Sequence, residues 1–277
     1  MKRSQASSTA KVIAASTILL DGEDRDAGMV APGAAALCRV FLSANAADRL
    51  LARSASHPWT RRFWRALERM TLPGIIHHYW RRKRWIEDHC RRAIADGCGQ
   101  VVILGAGFDT LGIRLSREFA AVEVIEMDHP ATQSVKQRAL SLSEVALPEN
   151  LRFECLDLAE EEFPASLFEE APTVFILEGL LMYLPERAVG DLFDAIGKLP
   201  GGKTKVIFSF MSKWPDGSSG FRPHSRLIHG WLAMRGEPFT WSIEPERIDG
   251  FLAAHGFKLI EILPGSGLEG ENLVIGG

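Results

Sequence analysis

The residues best placed to do chemistry are acids that follow apolar runs. Asp109 comes after "VVILGAGF", Asp128 ends "VEVIEM", Asp157 follows "LRFECL" and Glu178 ends "TVFIL". Val101, Val102, Ile103 and Leu104 show no alternation, which predicts a strand covered on both faces. Gly105 and Gly107 then permit a sharp turn and let a ligand approach the backbone across Ala106. This is an entrance for a nucleotide-type ligand. The dinucleotide fingerprint G-x-G-x-x-G is not completed, because Thr110 holds its third glycine position and the next glycine is Gly112. Asp128 lies 21 residues beyond Gly107, where a carboxylate accepts from both ribose hydroxyls of an adenosine-bearing cofactor. Asp109 starts a helix, so it either caps free N–H groups or meets a cationic part of the ligand. A pyrophosphate would be repelled there. The ammonium and sulfonium groups of S-adenosylmethionine would not.

Asp157 falls beside the expected adenine position, where it can accept from an exocyclic amine; the competing reading makes it the N-cap of a helix in "AEEEF". Glu178 ends a hydrophobic strand, a costly place for an unpaired carboxylate, so a cation should answer it. One source is "HHYWRRKRWIEDHC". On a helix, Tyr79, Ile86, Cys90 and Ala93 form one apolar stripe, with Arg82 and Lys83 within about 50° of its centre and Arg81 and Arg84 pointing away.

The elements that position these groups change in style near residue 99. Helical spacing marks 33–53, 59–70 and 74–95; beyond them, candidate strands at 100–104, 122–127, 151–155, 173–178, 204–210, 257–263 and 271–275 alternate mostly with helical patterns. Strands joined by helices imply parallel pairing with right-handed crossovers, hence a doubly wound α/β sheet. The last two strands are joined only by "PGSGLEGE", too short for a helical crossover, which predicts an antiparallel hairpin. The division expected is a helical segment, 1–98, and an α/β core, 99–277. "KWPDGSSGFRP", 213–223, is a loose loop beyond a strand's carboxyl end, where ligands bind in such folds.

With 277 residues, 46% of them hydrophobic, the chain can bury a full core. A net charge of −3 gives no overall reason to expect nucleic acid as a partner. Cys38, Cys90, Cys98 and Cys155 form no C-x-x-C pair, and the opening lacks the long apolar core of a secretory signal, so reduced thiols in a cytoplasm are expected. The apolar stretch from Val12 to Leu20 falls far short of the roughly 20 residues of a membrane span, so no membrane partner is expected.

"VVILGAGFDTLGIRL", "IEMDHPATQSVKQRAL", "LDL" and "LEGLLMYLPE", in this order and spacing, resemble the leucine carboxyl methyltransferase family of class I S-adenosylmethionine-dependent enzymes, and most closely its bacterial small-molecule branch, which includes polyketide O-methyltransferases. The resemblance runs from about Arg81 to Leu199. It implies a seven-stranded, Rossmann-like methyltransferase sheet under an N-terminal helical cap. It also implies S-adenosylmethionine as cofactor and S-adenosylhomocysteine as product. Gly105, Ala106 and Gly107 would line the methionine portion, Asp128 hold the ribose, Asp157 and Leu158 meet the adenine, and Glu178 lie against the amino acid end, with Asp109 sharing that contact. The family's cofactor-carboxylate arginine aligns with Arg82. One departure is Ile103, which stands where many methyltransferases carry an acid.

The reaction expected is O-methylation of a small-molecule carboxylate, with Tyr183 and Arg82 orienting an acceptor that is already ionised. The alternatives are a phenol or other hydroxyl acceptor of polyketide-type secondary metabolism, and a catalytically silent S-adenosylmethionine-binding regulator. A hydroxyl acceptor needs a base, for which His77, His78, His224 and His229 are the candidates. The adjacent His77 and His78 diverge by 100° on a helix and have no suitably spaced partner, so no metal site is expected. Phe239 and Trp241 of "GEPFTW" are read as core, although they lie toward the substrate side.

Overall fold

The structure, a computed structural model, describes residues 6–23, 26, 28–168, 171–199, 204–222, 226–265 and 268–277, apart from the side chains of 226–229. Before the first strand come α1 (Ser8–Asp21), α2 (Ala34–Phe41), α3 (Ala46–Ser56), α4 (Pro58–Thr71) and α5 (Ile75–Ala95). There follow β1 (Gln100–Leu104), α6 (Leu111–Glu118), β2 (Glu123–Asp128), α7 (Pro130–Leu142), β3 (Leu151–Cys155), β4 (Thr173–Leu177), α8 (Glu186–Gly197) and β5 (Thr204–Met211). The chain closes with α9 (Arg226–Arg235), α10 (Ile248–Ala254), β6 (Leu259–Leu263) and β7 (Glu271–Gly276).

The seven strands form one sheet in the order β3-β2-β1-β4-β5-β7-β6. β1 to β5 pair in parallel, and β7 runs antiparallel between β5 and β6, so the expected hairpin is present. The order reverses between β1 and β4, which opens a crevice at the carboxyl ends of these strands. Both faces of the sheet are covered. Val101, Ile103, Val124, Val174, Ile176, Ile207 and Ile275 join the core formed with α1, α2, α5 and α6. Their neighbours Val102, Leu104, Ile125, Phe175, Leu177, Phe208 and Val274 point the other way, against α8 and α10. Burial of alternate residues on both faces explains the continuous apolar runs in the sequence.

Three elements differ from the sequence reading. The span 33–53 is two helices, because Asn45 leaves the helical conformation and its side chain caps α3 by accepting from the Asp48 amide at 2.9 Å. Residues 8–21 form α1, for which the sequence showed no helical stripe. Ala14 through Leu20 are all buried, and a stretch of helix buried on every side has no polar face to reveal its period. The segment "AEEEF" is a turn rather than a helix. Among the described residues no helix is long and apolar enough to cross a membrane.

α7 is tied to the strand ends by a buried ion pair. Lys136 and Glu126 are both fully buried and in contact, and the Lys136 ammonium also donates to the Asp109 carbonyl at 2.7 Å. Removing one partner leaves a buried charge unanswered, whereas replacing both with apolar groups does not. Lys136→Met is therefore expected to lower the free energy of unfolding by about 3–5 kcal/mol, measured by urea titration at neutral pH. The double variant with Glu126→Leu should recover most of that loss.

Candidate functional site

The glycine turn extends the β1–β2 pairing past the end of the strand. The Gly105 and Ala106 amides both donate to the Met127 carbonyl, at 2.8 and 3.2 Å. Gly105 and Gly107 have φ of +66° and +50°, and a Cβ on Gly105 would stand 2.8 Å from a Leu180 methyl. Here the glycines are required both by backbone conformation and by space. The turn places the Gly107 amide on Asp128 Oδ2, while Oδ1 accepts from the His129 amide at 2.6 Å. Burial pushes the Asp128 carboxyl above its ordinary value, against the pull of these two amides. His129 Nδ1 accepts from the Ala131 amide, capping α7; this leaves the proton on Nε2, which faces Asp157 Oδ2 at 3.3 Å. Asp128, His129 and Asp157 thus form one row across the ends of β2 and β3. Asp157 Oδ1 accepts from the Ala159 amide at 3.1 Å and so closes a turn; the expected N-cap interaction has no helix to cap. Leu158 packs partly buried against the core beyond it.

The charged groups meet at the ends of β1 and β4. α5 presents Arg82 and Lys83 inward as its phase predicts, while Arg81 is exposed and Arg84 donates to the Gly28 and Met29 carbonyls. Arg82 Nε and Nη2 both donate to Glu178 Oε1, at 3.0 and 2.8 Å. Its Nη1 donates to Glu271 Oε1 and Oε2, at 2.6 and 2.9 Å. Lys83 Nζ lies 3.0 Å from Glu178 Oε1 and 3.1 Å from Asp109 Oδ2. Asp109 takes the capping role, and the cation it meets belongs to the protein rather than to a ligand. Oδ1 accepts from the Thr110 and Leu111 amides at the start of α6, and Oδ2 meets a cation, which is Lys83. Burial opposes the charge of each group, but the ion pairs outweigh it. Asp109 is held at about 2 by Lys83, Arg114 and Lys136, and Glu271 at about 2 by Arg82 and His78. The Lys83 ammonium is raised by Asp109 and Glu178.

The third part of the site is apolar and hydroxylated. Tyr183 ends a single 3₁₀ turn, Leu181–Tyr183, and its ring lies 5.6 Å from that of Phe239. Burial pushes its phenol up, and Thr9, Tyr79, Glu237 and Glu271 surround it. Trp241 is core, as read from the sequence. The first turn of α1 lies across this side. Ser7 N–H donates to Thr132 Oγ1 at 3.1 Å, and Ser8 and Thr9 N–H donate to the Glu237 carboxylate at 2.8 and 3.2 Å. A Cβ on Gly107 would meet Ala10 of the same turn.

The four candidate bases separate. His78 is buried with Nε2 2.6 Å from Glu271 Oε2, and His77 Nε2 lies 3.0 Å from Asp26 Oδ1. His224 lies outside the described residues and His229 outside the described side chains. Sequence reasoning missed Glu271 and Glu237. Glu271 carried the same signal as Glu178, an acid at the end of an apolar strand, but at the amino end. Glu237 stands in "GEPFTW", where the aromatics drew the attention.

The leucine carboxyl methyltransferase description matches residues 34–197, more than half of the chain. The chain belongs to that family. A Mycobacterium ulcerans relative named "Putative S-adenosyl-L-methionine-dependent methyltransferase" is 31% identical over 188 residues, covering 64% of this chain and 61% of its own length. A relative of the same name from Mycobacterium tuberculosis is 36% identical over 130 residues, covering 45% and 42%. Another, from Mycobacteroides abscessus, is 27% identical over 219 residues, 69% of each chain. This leucine carboxyl methyltransferase family member therefore spans 61% and 42% of the first two relatives. A crystal structure described as a putative methyltransferase from Thermobifida fusca YX covers 99% of this chain and 95% of its own, with a TM-score of 0.58 and 14% identity, a likeness of fold.

The depressed carboxyls Asp109 and Glu271 give stability that is complete above their unfolded values and is lost as pH falls through the folded ones. Unfolding free energy should therefore fall on acidification from about 4.5 toward about 2. Glu271→Gln should lower it at neutral pH and flatten that acid slope, measured by guanidinium titration at each pH.

Proposed function

We propose that the chain is an S-adenosylmethionine-dependent O-methyltransferase acting on a small-molecule carboxylate. The observation that carries this reading is the charge of the site. Asp109, Glu178 and Glu271 share the two cations Arg82 and Lys83, while the neighbouring Arg114 and Lys136 pair with Glu87 and Glu126, so carboxylates outnumber the arginine and lysine groups beside the glycine turn. A dinucleotide's pyrophosphate would be repelled there, whereas a ligand carrying an ammonium, a sulfonium and one carboxylate is attracted. Arg82 and Lys83 both meet Glu178 through Oε1, which leaves Oε2 to receive an ammonium. Asp128 uses one lone pair on each oxygen for a backbone amide and keeps others for ribose hydroxyls. The glycine turn admits the ligand's methionine portion, and Asp157 with Leu158 borders the adenine. When bound, the cofactor supplies an electrophilic methyl group to an aligned nucleophile.

A carboxylate acceptor is already ionised and needs an orienting donor rather than a base. Tyr183, kept protonated by burial, is that donor. Arg82 acts on the acceptor side through the carboxylates it holds. His78 is committed to Glu271 and His77 to Asp26, which favours a reaction needing no histidine base. The S-adenosylmethionine-binding names of the relatives support the cofactor class.

Calorimetric titration should show binding of S-adenosylmethionine and S-adenosylhomocysteine but not of NADH. Asp128→Asn should weaken the two sulfur ligands by about 1.5–3 kcal/mol, roughly ten- to hundredfold. Tyr183→Phe should retain cofactor affinity and lower kcat by about tenfold. Products from a panel of carboxylic acids and phenols, read by mass spectrometry before and after alkaline hydrolysis, identify the acceptor. Only alkali-labile methyl esters agree with the proposal, and alkali-stable ethers alone would sink the carboxylate assignment.

A further inference from the structure

α4 is turned inside out relative to an ordinary surface helix. At 100° per residue, Trp59, Phe63, Leu67 and Met70 fall within about 80° of one another. All four face solvent, at 73%, 63%, 39% and 80% exposure. The opposite side carries Arg65 and Glu68, which are buried. Arg65 donates to Glu23 at 3.0 and 2.7 Å, to Asp26 at 3.3 Å and to Glu68 at 2.8 Å, and Glu68 also accepts from the Ile76 amide at 3.2 Å. The helix cannot roll to bury its aromatics without taking Arg65 from three carboxylates. The apolar stripe is therefore locked outward.

The charge around the stripe has one sign. Residues 34–71 carry seven arginines and two acids, Asp48 and Glu68, a net charge of +5 in a chain of net −3. Both acids are buried, and Asp48 is paired with Lys11 at 2.9 Å. Arg62 and Arg69 are exposed along one edge of the stripe, with Arg62 lying over the Trp59 ring, and Arg49, Leu50 and Arg53 are exposed on α3.

We propose that α4 docks on an anionic membrane surface, lying in the plane of the headgroups without crossing them. Trp59, Phe63, Leu67 and Met70 enter the boundary between headgroups and acyl chains, and Arg62 and Arg69 beside them meet lipid phosphates. Aromatic and aliphatic residues along one line, flanked by arginines and with no exposed acid in the segment, match that surface. A second copy docking through the same patch would bring like charge against like charge. The proposal departs from the expectation of no membrane partner, and it does not depend on the proposed reaction.

The test is co-sedimentation of the full chain with phosphatidylcholine vesicles, with and without phosphatidylglycerol, at low and high salt. Binding to the anionic vesicles alone is expected, falling at least about tenfold when about 0.5 M salt screens the arginines. Trp59→Ser with Phe63→Ser should weaken binding by roughly tenfold or more, and Arg62→Ala with Arg69→Ala by a similar factor. Because these side chains are exposed, unchanged melting temperatures verify the fold of both variants. Failure of the parent chain to sediment with anionic vesicles would overturn the proposal, as would undiminished binding by the folded variants. Self-association in sedimentation velocity that the aromatic variant abolishes, without vesicle binding, would reassign the face to a second copy of the chain.

Discussion

Arg82 is the interaction on which the site depends. It sits on α5, one helix ahead of the sheet, and its guanidinium spans carboxylates at the end of β4 and the start of β7. A buried ion pair of this kind is weak evidence for stability, because desolvation offsets much of its attraction. Its effect is on geometry. The planar fork holds Glu178 and Glu271 in fixed relation, and Lys83, one residue on, extends the same fixation to Asp109 and the start of α6. Two strand ends and two helices are thereby aligned around the glycine turn.

The rest of the fold explains why those ends are adjacent. The reversal of strand order between β1 and β4 opens the crevice, and the apolar packing on both faces of the sheet prevents the strands from shifting register, since a slip of one residue would exchange the two core faces. The antiparallel course of β7 brings its first residue to the edge where the parallel strands end, and so delivers Glu271. α1 covers the opposite side of the turn, its free amides satisfied by Glu237, a carboxylate at the positive end of a helix.

Much of this was legible in the sequence for identifiable reasons. Strands buried on both faces read as unbroken apolar runs, the short link before β7 excluded a crossover, and the period of α5 placed Arg82 and Lys83 on its inner side. Other features were hidden by the same physics. α1 has no stripe because its second half, Ala14 to Leu20, is buried all round. α4 has a clear stripe, but periodicity gives the phase of a helix without saying which side meets water, and here the ion network of Arg65 decides that. Glu271 and Glu237 come from distant parts of the chain to meet partners near its start, and no local pattern records such a meeting.

The distance along the chain has a further consequence. Arg82 and Glu271 are separated by 189 residues. A contact of that span must overcome the entropy of closing a very long loop, so it forms late, after local helices and neighbouring strands have assembled. During synthesis the guanidinium of Arg82 and the carboxylate of Glu178 are made long before the acid that completes them. β7 must then insert between β5 and β6 to supply it. The pocket is therefore finished by β7, and a chain interrupted shortly before that strand would carry most of the sheet without a complete set of ligand-binding charges.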